Sequence, residues 1–414
     1  MSRLTDRSEA LWTGALRADH RTIVSGFGPL EEVAPGLAFV ESFANVTALD
    51  TGDGLMLFDT GSPMTARVVH GEVRRWRAAP LAAAVYTHGH VDHAMGMPPW
   101  DEEAQAAGRA RPTVIAHEAV PRRFARYRAT AGWNQAINRR QFRIPGFTFP
   151  TEFREPDELL TTARVIERGD ARVELFHDLG ETDDHVWAWL PAQRALVTGD
   201  LFIWAAPNCG NPQKVQRYVI EWADALDRMR ALEPALLLPG HGPPIFGAAR
   251  VQDALADTAA LLRTIHDQVV ALMNEGRRFD DVAASVRIPD DLIARPYLRP
   301  VYDDPQFVVR NVWRRYGGWW DGNPARLLPP RDAALAAEVA AIAGGAAALI
   351  ERARAAQGRG ELALACQLAE WARAAASPAE RADIGAARAA IYRARAEAET
   401  SLMARSIFTG AAEE

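Results

Sequence analysis

Cysteine, lysine and long apolar runs are nearly missing from this sequence of 414 residues. Its two cysteines, Cys209 and Cys366, lie far apart, which excludes a disulfide-stabilised scaffold. No stretch reaches the roughly 18 uncharged apolar residues of a membrane span. The opening residues, MSRLTDRSEA, lack the apolar segment of a secretory signal. We therefore expect a cytoplasmic protein that contacts no membrane.

An excess of charge of one sign is also missing. The formal net charge is −6, from 47 basic and 53 acidic residues, which argues against a nucleic-acid surface. Neither a Walker nor a Rossmann glycine pattern occurs, so we expect no phosphate-binding loop. Lys214 is the only lysine, and we attribute the preference for arginine to codon usage in a GC-rich genome. The length exceeds that of one ordinary core and predicts two domains.

The sequence pattern predicts an α/β domain over residues 1–250 and an all-helical domain over residues 251–414. From about residue 37, short β-rich runs alternate with helical stretches such as 65–77. A long helix over 248–275 follows, and the alanine-rich region from Arg331 predicts three to five antiparallel helices. The predicted strands are 37–41, 46–50, 55–59, 81–86, 113–116, 171–176, 186–190, 195–198 and 235–238.

The strongest chemical signal is the segment Thr87-His88-Gly89-His90-Val91-Asp92-His93, which follows an apolar predicted strand. Its three imidazoles and one carboxylate are ligands that suit zinc, and also iron or manganese. Two histidines at positions i and i+2 can hold one ion, while Asp92 and His93 can turn toward a second. A polar turn with incidental histidines is the alternative, but packing does not explain four ligand-type residues in one strand-end loop.

Three further ligand candidates border later predicted strands. His185 precedes the strand 186–190, Asp200 follows 195–198, and His241 follows 235–238. Each alone fits a structural role, but together they complete the ligand sets of two ions, with Asp200 between them. A water shared by two ions loses a proton near neutral pH and becomes a nucleophile. The pattern therefore predicts a hydrolase in which Asp92 also orients the attacking hydroxide.

This arrangement resembles the metallo-β-lactamase superfamily, in which His-X-His-X-Asp-His is followed by a third His, a bridging Asp and a final His. The resemblance covers about residues 35–245 and implies an αββα sandwich with two Zn²⁺ ions, or iron or manganese in their place. Asp59 resembles the family's aspartate that orients a ligand histidine, with turn capping as the alternative. The resemblance implies that the first ion is held by His88, His90 and His185, the second by Asp92, His93 and His241, and that Asp200 bridges both.

The second half of the sequence resembles the dimerisation region of alkylsulfatases. The resemblance lies in the stretch 306–324, which contains Gly-Gly-Trp-Trp-Asp-Gly-Asn-Pro at 317–324, and in shorter matches at 138–142, 149–152 and 406–411. Core packing is the alternative explanation of the tryptophans. The resemblance implies an α-helical dimerisation domain and a homodimer. Because it extends to the last residue, we expect no C-terminal lipid-carrier-like domain in this sequence.

Substrate recognition is predicted from basic and aromatic residues. Arginine's planar fork suits sulfate or carboxylate, and lysine acts as a point charge. The candidates for holding an anionic group are Lys214, Arg217, Arg139 and Arg140, with solvated surface charge as the alternative for each. The candidates for an apolar pocket, for which core or interface packing is the favoured alternative, are Trp133, Phe142, Trp204, Trp319 and Trp320.

The leading hypothesis is an alkylsulfatase-like hydrolase that cleaves a small anionic alkyl sulfate ester with a metal-activated hydroxide. Alkylsulfatases, however, place glutamates where this sequence has His185 and Asp200. Those two residues fit the general hydrolase pattern and favour an alternative, a hydrolase of a thioester, lactone or phosphodiester. A diiron redox protein is disfavoured because no flavin-binding or electron-carrying module is evident, and a scaffold protein because no ligand position is lost.

Overall fold

The computed structural model of the protein describes residues 2–23 and 27–414. Within these residues the first sheet has seven strands in chain order, of which β1 to β4 are antiparallel and β4 to β7 are parallel. The carboxyl ends of β4, β5 and β6 therefore meet at one edge of this sheet. Strands β1–β7 are Glu31–Ala34, Leu37–Val40, Val46–Asp50, Leu55–Phe58, Leu81–Val85, Thr113–His117 and Glu158–Leu160.

The second sheet has six strands among the described residues, in the order β13-β12-β11-β10-β9-β8. Only β11 and β12 are parallel neighbours, so their carboxyl ends also lie side by side. Strands β8–β13 are Ala163–Arg168, Ala171–His177, Val186–Leu190, Ala195–Ile203, Leu236–His241 and Ile245–Phe246.

The two sheets pack face to face through a buried apolar layer. Phe39, Phe58 and Val85 of the first sheet share one core with Leu175 and Val197 of the second. Strands β2, β4, β10, β11 and β12 are buried at every residue, because helices cover the sheet faces that look outward. A strand that is covered on both faces has a continuous run of apolar residues and lacks the alternation of apolar and polar residues of a half-exposed strand. The sequences of these five strands have such apolar runs.

Helices cover both outer faces and complete the αββα sandwich that the sequence predicts, so the predicted fold class is confirmed. Val69, Trp100 and Phe124 pack against the first sheet, and Trp222 and Leu255 pack against the second. The helices in the first part of the chain are α1 Arg3–Trp12, α2 His20–Ile23, α3 Ala66–Trp76, α4 Val91–Ala94, α5 Pro98–Ala106, α6 Val120–Ala129, α7 Ala131–Phe142, α8 Val219–Arg230 and α9 Ala248–Asn274.

Helices alone follow the last strand. The last five have an apolar core of their own, formed by small residues such as Ala353 and Ala369 around Leu349 and Ile391. They agree with the upper end of the predicted three to five helices. Helices α10–α17 are Phe279–Ser285, Asp290–Ile293, Pro305–Gly317, Asp332–Ala343, Ala346–Gly358, Leu362–Ala375, Arg381–Ala398 and Leu402–Glu413.

Packing continues across the predicted domain boundary at residue 250. Helix α9 shares its core with α8 and α12, so Val251 and Leu255 lie in one cluster with Trp222 and Val309. We therefore propose that residues 1–250 and 251–414 differ in architecture and do not separate as independent folding units. Within the described residues no single helix is long and apolar enough to cross a bilayer; α13 and α14 meet that criterion only jointly and are bent by 84°.

Candidate metal centre

The ends of four strands bring the candidate ligands together at one edge of the sandwich. His88 follows β5, Asp200 lies in the distal half of β11, and His241 is the last residue of β12. The loop between β9 and β10 adds Glu181. In the described part of the chain, two groups of ligand-type atoms lie within 4.8 Å of one another: His88, His90, Glu181 and Asp200 in the first group, and Asp92, His93 and His241 in the second.

The first group surrounds a point between two imidazoles and two carboxylates. His88 Nε2 lies 2.7 Å from His90 Nδ1 and 3.4 Å from Glu181 Oε2. His90 Nδ1 lies 3.3 Å from Glu181 Oε2, and Asp200 Oδ2 lies 3.9 Å from His88 Nε2. Ligands about 2.0–2.2 Å from a tetrahedral zinc ion stand about 3.4 Å apart. The distances of 3.3 and 3.4 Å match this spacing, whereas the nitrogens of His88 and His90, 2.7 Å apart, would have to separate slightly to bind such an ion.

The second group uses the other oxygen of Asp200. Asp200 Oδ1 lies 3.4 Å from both His93 Nε2 and His241 Nε2. Asp92 Oδ2 lies 3.6 Å from the same two nitrogens. Asp200 thus presents Oδ2 to the first group and Oδ1 to the second, which is the arrangement of a carboxylate placed between two cations.

Unpartnered polar atoms support the fit to metal ions. Glu181 Oε2, His93 Nε2 and Asp200 Oδ1 are buried and have no hydrogen-bond partner among the described residues. A buried polar atom without a partner costs about 1–3 kcal/mol, so such atoms rarely persist without an explanation. All three point into the two groups, and coordination of a divalent cation gives each of them a partner.

Hydrogen bonds on the far side of the rings fix three of the imidazoles. Asp59 Oδ2 lies 2.7 Å from His93 Nδ1, and Asp59 also accepts hydrogen bonds from the backbone N–H and the hydroxyl of Thr87. Because that hydroxyl donates to Asp59, it accepts from His88 Nδ1 at 3.0 Å. His241 Nδ1 donates to the carbonyl oxygen of Phe43. Each of these rings is therefore oriented with Nε2 directed into a ligand group, where an ion would bind.

Asp59 has an unusual backbone that serves this role. Its φ of 59° lies in the left-handed region, which asparagine and aspartate tolerate better than most residues. This conformation, directly after β4, turns the carboxylate toward Thr87 and His93. The predicted role of Asp59 in orienting a ligand histidine is a proposal that this geometry supports.

The structure differs from the sequence prediction at His185. Its ring stacks on His88 with centroids 4.9 Å apart, but it belongs to neither ligand group. His185 Nε2 accepts a hydrogen bond of 3.1 Å from the backbone N–H of Asp200. Glu181, four residues earlier in the same loop, lies in the first group, and we propose that it takes the place predicted for His185. Glu181 was not among the predicted ligands, although its place in the acidic loop 180–185 and the glutamates of alkylsulfatases were available signals.

Arg217 and Asn208 hold the Glu181 carboxylate in position. Arg217 Nη1 lies 2.5 Å from Glu181 Oε1, and Asn208 Nδ2 donates to the same oxygen at 2.6 Å. Burial by itself would raise the pKa of Glu181, but the charges of Arg217 and His90 outweigh burial and hold that pKa well below its usual range. Oε1 is thereby occupied, and Oε2 faces the imidazoles as a carboxylate.

The pKa values of the histidines show excess negative charge in the second group. Burial, reinforced by the neighbouring histidines, lowers the pKa of His88 well below its usual value. Burial would also lower the pKa of His93 and of His241, but the acidic neighbours, Asp200 foremost, outweigh it and raise both. A bound cation would replace those protons, so metal binding should release protons.

A buried ion pair anchors the β9–β10 loop. Arg123 of α6 is buried and donates from Nε to Asp184 Oδ2 at 2.5 Å, and it also pairs with Asp183. Asp184 Oδ2 accepts a further hydrogen bond of 3.1 Å from the backbone N–H of Gly89. Helix α6 and the His88–His93 segment are thus tied to the loop that carries Glu181.

A cavity of about 310 Å³ ends at the cluster. Its outer part is apolar and reaches solvent at Met64 and Ile144, which are 69% and 42% exposed. Its inner end is polar, where Asp92, Asp200 and Lys214 line it. The apolar residues that line the outer part are Phe43, Pro63, Met64, Phe142, Ile144, Phe147 and Phe149.

The predicted anion-binding residues divide into two pairs. Lys214 and Arg217 line the cavity beside the cluster. Arg139 and Arg140 do not: Arg139 donates to the carbonyl oxygen of Phe147 at 2.7 Å, and Arg140 donates to Gln213 Oε1 at 2.9 Å. Helix α7 turns both arginines toward these partners, and neither lines the cavity beside the cluster.

The aromatic candidates divide in a similar way. Phe142 lines the apolar part of the cavity. Trp204 is fully buried and donates to the carbonyl oxygen of Pro243, so it belongs to the core. Trp319 and Trp320 lie on the surface of the helical region, and Trp133 lines a neighbouring cavity.

Two segments of the chain match known families. Residues 40–241 match the metallo-beta-lactamase superfamily, and residues 278–414 match the alkyl sulfatase dimerisation family. The chain is 28% identical over 353 residues to a linear primary-alkylsulfatase of Pseudomonas sp. (strain ATCC 19151), covering 78% of this chain and 65% of that protein. It is 29% identical over 379 residues to an (R)-specific secondary-alkylsulfatase of Pseudomonas sp., covering 84% and 57%.

A solved structure shares the fold over nearly the whole chain. The stereoselective inverting sec-alkylsulfatase Pisa1 from Pseudomonas sp. superposes with a TM-score of 0.82 at 26% identity, covering 93% of this chain and 65% of that structure. The chain spans between 57% and 65% of the length of these three relatives.

Proposed function

We propose that the chain, whose residues 40–241 match the metallo-beta-lactamase superfamily and whose residues 278–414 match the alkyl sulfatase dimerisation family, is a metal-dependent hydrolase of alkyl sulfate esters. We further propose that it holds two divalent cations, zinc or alternatively iron or manganese, in the two ligand groups. Two cations would supply Lewis-acid polarisation of the ester and activation of water.

The observation that carries this proposal is the polarity of the cavity. A largely apolar cavity of about 310 Å³ ends on a ligand cluster with a lysine beside it. An alkyl sulfate has the same distribution, with an apolar tail and one terminal anionic group. Each buried methylene contributes about 0.8 kcal/mol to the free energy of binding, so the apolar part of the cavity favours an alkyl chain. The polar end positions the reacting group of that substrate.

The residues at the polar end have separable roles. Lys214 offsets the charge of the sulfate group, and Arg217 holds Glu181 while its own Nε–H has no partner among the described residues. Asp92 faces both the second ligand group and the cavity, so it can accept a hydrogen bond from the attacking water and orient it. Phe142 and Phe149 exclude bulk water from the inner end.

The alternative, a hydrolase of a thioester, lactone or phosphodiester, loses part of its basis. It is favoured by a ligand pattern with His185 and Asp200 in place of two glutamates. Since Glu181 joins the ligand group and His185 does not, only Asp200 still departs from the alkylsulfatase pattern.

The test is sulfate release from a series of linear alkyl sulfates by the metal-loaded protein, measured by ion chromatography. We expect kcat/KM to rise about fourfold for each added methylene until the cavity is filled, from about 0.8 kcal/mol per methylene. His88→Ala should abolish release, and Glu118→Gln, at an exposed position, should leave it unchanged. Release no greater than that of His88→Ala, or a preference for thioesters or lactones in a parallel panel, would contradict the proposal.

A further inference from the structure

A second cavity, also of about 310 Å³, adjoins the metal centre. Five residues line both cavities: His90, Tyr127, Glu181, Lys214 and Arg217. The second cavity reaches solvent at Trp133, which is 59% exposed, and at Val215 and Arg314. The ligand cluster therefore has two connections to the surface, and the side chains that separate them include Lys214.

The two cavities differ in their chemistry. The first is lined by aromatic and aliphatic side chains up to the cluster. The second is lined by four arginines besides Lys214, with Glu181 as its one acidic lining residue in the described chain. The arginines are Arg123, Arg126, Arg217 and Arg314.

Of the five basic side chains that line the second cavity, two are paired with carboxylates and three are not. Arg123 pairs with Asp183 and Asp184, and Arg217 pairs with Glu181. Among the described residues, by contrast, Arg126, Lys214 and Arg314 form no ion pair. We call the second cavity, whose lining contains these three cations, the basic cavity. Clustered charge of one sign in a cleft attracts and concentrates ions of the opposite sign.

The sulfate product of alkyl sulfate hydrolysis needs a polar route from the metal centre to solvent. Water adds across the ester, one bond to the ester oxygen breaks, and the products are an alcohol, a sulfate dianion and a proton. The alcohol's chain still fills the apolar cavity when the sulfate forms. A strongly hydrated dianion that left by the apolar cavity would have to pass along apolar walls at a large desolvation cost.

We propose that the basic cavity is the route by which the sulfate product leaves the metal centre, with Lys214, Arg126 and Arg314 as successive contacts. This inference rests on the proposed function. Its volume lies at the lower end of the range of about 300–1,000 Å³ that holds small organic ligands, so a sulfate ion fits together with water. Arg314 lies on α12, so the helical region contributes to this route.

The experiment removes the two outer charges and measures sulfate binding without any turnover. The variant is Arg126→Gln/Arg314→Gln in the metal-loaded protein. Its matched control is Arg122→Gln/Arg315→Gln, which removes two arginines from the same helices, neither of which lines a cavity. Binding of sodium sulfate is measured by titration calorimetry at fixed ionic strength, with circular dichroism to verify the fold.

We expect sulfate affinity to fall at least tenfold in the double variant and to stay within twofold of the parent in the control. We also expect the parent to bind sulfate when a long-chain alcohol saturates the apolar cavity. Equal affinity in the variant and the control, or loss of sulfate binding when the alcohol is present, would overturn the proposal. These binding measurements need no ester substrate. If the protein released no sulfate from esters, that result would contradict the proposed function and would leave the sulfate-binding test of the basic cavity intact.

Discussion

At the scale of single residues, hydrogen bonds within the protein position the candidate ligand side chains independently of any ion. His88, His93 and His241 each donate from Nδ1 to a fixed oxygen, and Glu181 is held at one of its two carboxylate oxygens. The ligand atoms that remain free therefore converge without further ordering of the side chains. Pre-organised ligands lose less conformational entropy on binding, which favours tight metal affinity.

Glu181 is the residue whose removal tests this arrangement most directly. In Glu181→Gln the amide keeps the shape of the side chain but loses the negative charge at Oε2, so we expect metal affinity to fall at least tenfold. Competition with a chelator, followed by elemental analysis, measures this change. Glu118→Gln is the matched control at an exposed position. Unchanged metal content in Glu181→Gln would assign Glu181 a structural role instead.

Lys214 predicts a pH dependence. Burial, followed by the nearby charge of Arg217, lowers the pKa of Lys214 to about 8. The side chain is charged below that pH and neutral above it, so kcat/KM for an alkyl sulfate should fall as the pH rises through about 8. Loss of a charged hydrogen bond costs about 1.5–3 kcal/mol, which corresponds to a decrease of roughly tenfold to a hundredfold.

Two substitutions separate Lys214 from other titrating groups. Lys214→Arg should keep the activity high across the alkaline range, because a guanidinium stays charged there. Lys214→Met should show low kcat/KM at every pH, without the alkaline decrease. If Lys214→Met kept the same alkaline decrease as the parent protein, the titrating group would be a different one.

At the scale of secondary structure, the parallel pair β11–β12 sets the distance between Asp200 and His241. Gly240 lies directly against Asp200, and a Cβ atom built on Gly240 would stand 2.2 Å from Asp200 Oδ1. Gly199 has a φ of +48° and similarly faces Thr87 and His185. Both strands therefore need glycine at the point where they approach the ligands.

Gly240→Ala should consequently displace the Asp200 carboxylate. We expect at least a tenfold loss of metal affinity, while the rest of the sandwich keeps its secondary structure. Gly71→Ala is the control, because Gly71 lies in α3 and nothing described lies within 4 Å of its added Cβ. That control should bind metal normally and gain about 0.5–1 kcal/mol in free energy of unfolding. Full metal content in Gly240→Ala would show that the two strands can separate at little cost.

At the scale of the whole molecule, the helical region helps to form the cavity beside the candidate metal centre. The uncharged side chain of Tyr302 lines the cavity. Ser401 Oγ fixes the backbone of Tyr302 by donating a hydrogen bond of 2.9 Å to its carbonyl oxygen. Gln141 Nε2 also lies 3.0 Å from the Tyr302 hydroxyl. The segment that leads into α17 thus packs against a residue that lines this cavity.

The surface of that helical region also predicts an assembly. Large apolar side chains are exposed on it, among them Ile342 at 87% and Leu328 at 91%. Exposed apolar patches on a folded domain mark interaction surfaces, and residues 278–414 match the alkyl sulfatase dimerisation family. We expect a homodimer in sedimentation velocity experiments. Ile342→Glu should shift it toward monomer, whereas Glu338→Gln on the same helix should not. A monomeric parent protein would contradict this prediction.

Much of the fold was predictable because local patterns determine it. The buried strands β2 to β6, β10 and β12 and the half-buried β9 were predicted within about three residues, since apolar runs bounded by turns allow few other structures. Strand β11 was predicted to end at residue 198 but continues to Ile203. Strands β1, β7, β8 and β13 were missed. Strand β8 is partly exposed at every second residue and carries charged side chains, and β13 has only two residues, so neither gives a clear signal.

The sequence by itself indicated the ligand chemistry: the cluster at residues 88–93 follows a predicted strand, and Asp200 and His241 come just after later predicted strands. Only the tertiary structure decided between Glu181 and His185, which lie in one loop. That choice depends on the anchoring of Asp184 by Arg123 and on the hydrogen bond from the Asp200 backbone to His185. These contacts join residues about 60 and 15 positions apart, and no local pattern encodes them.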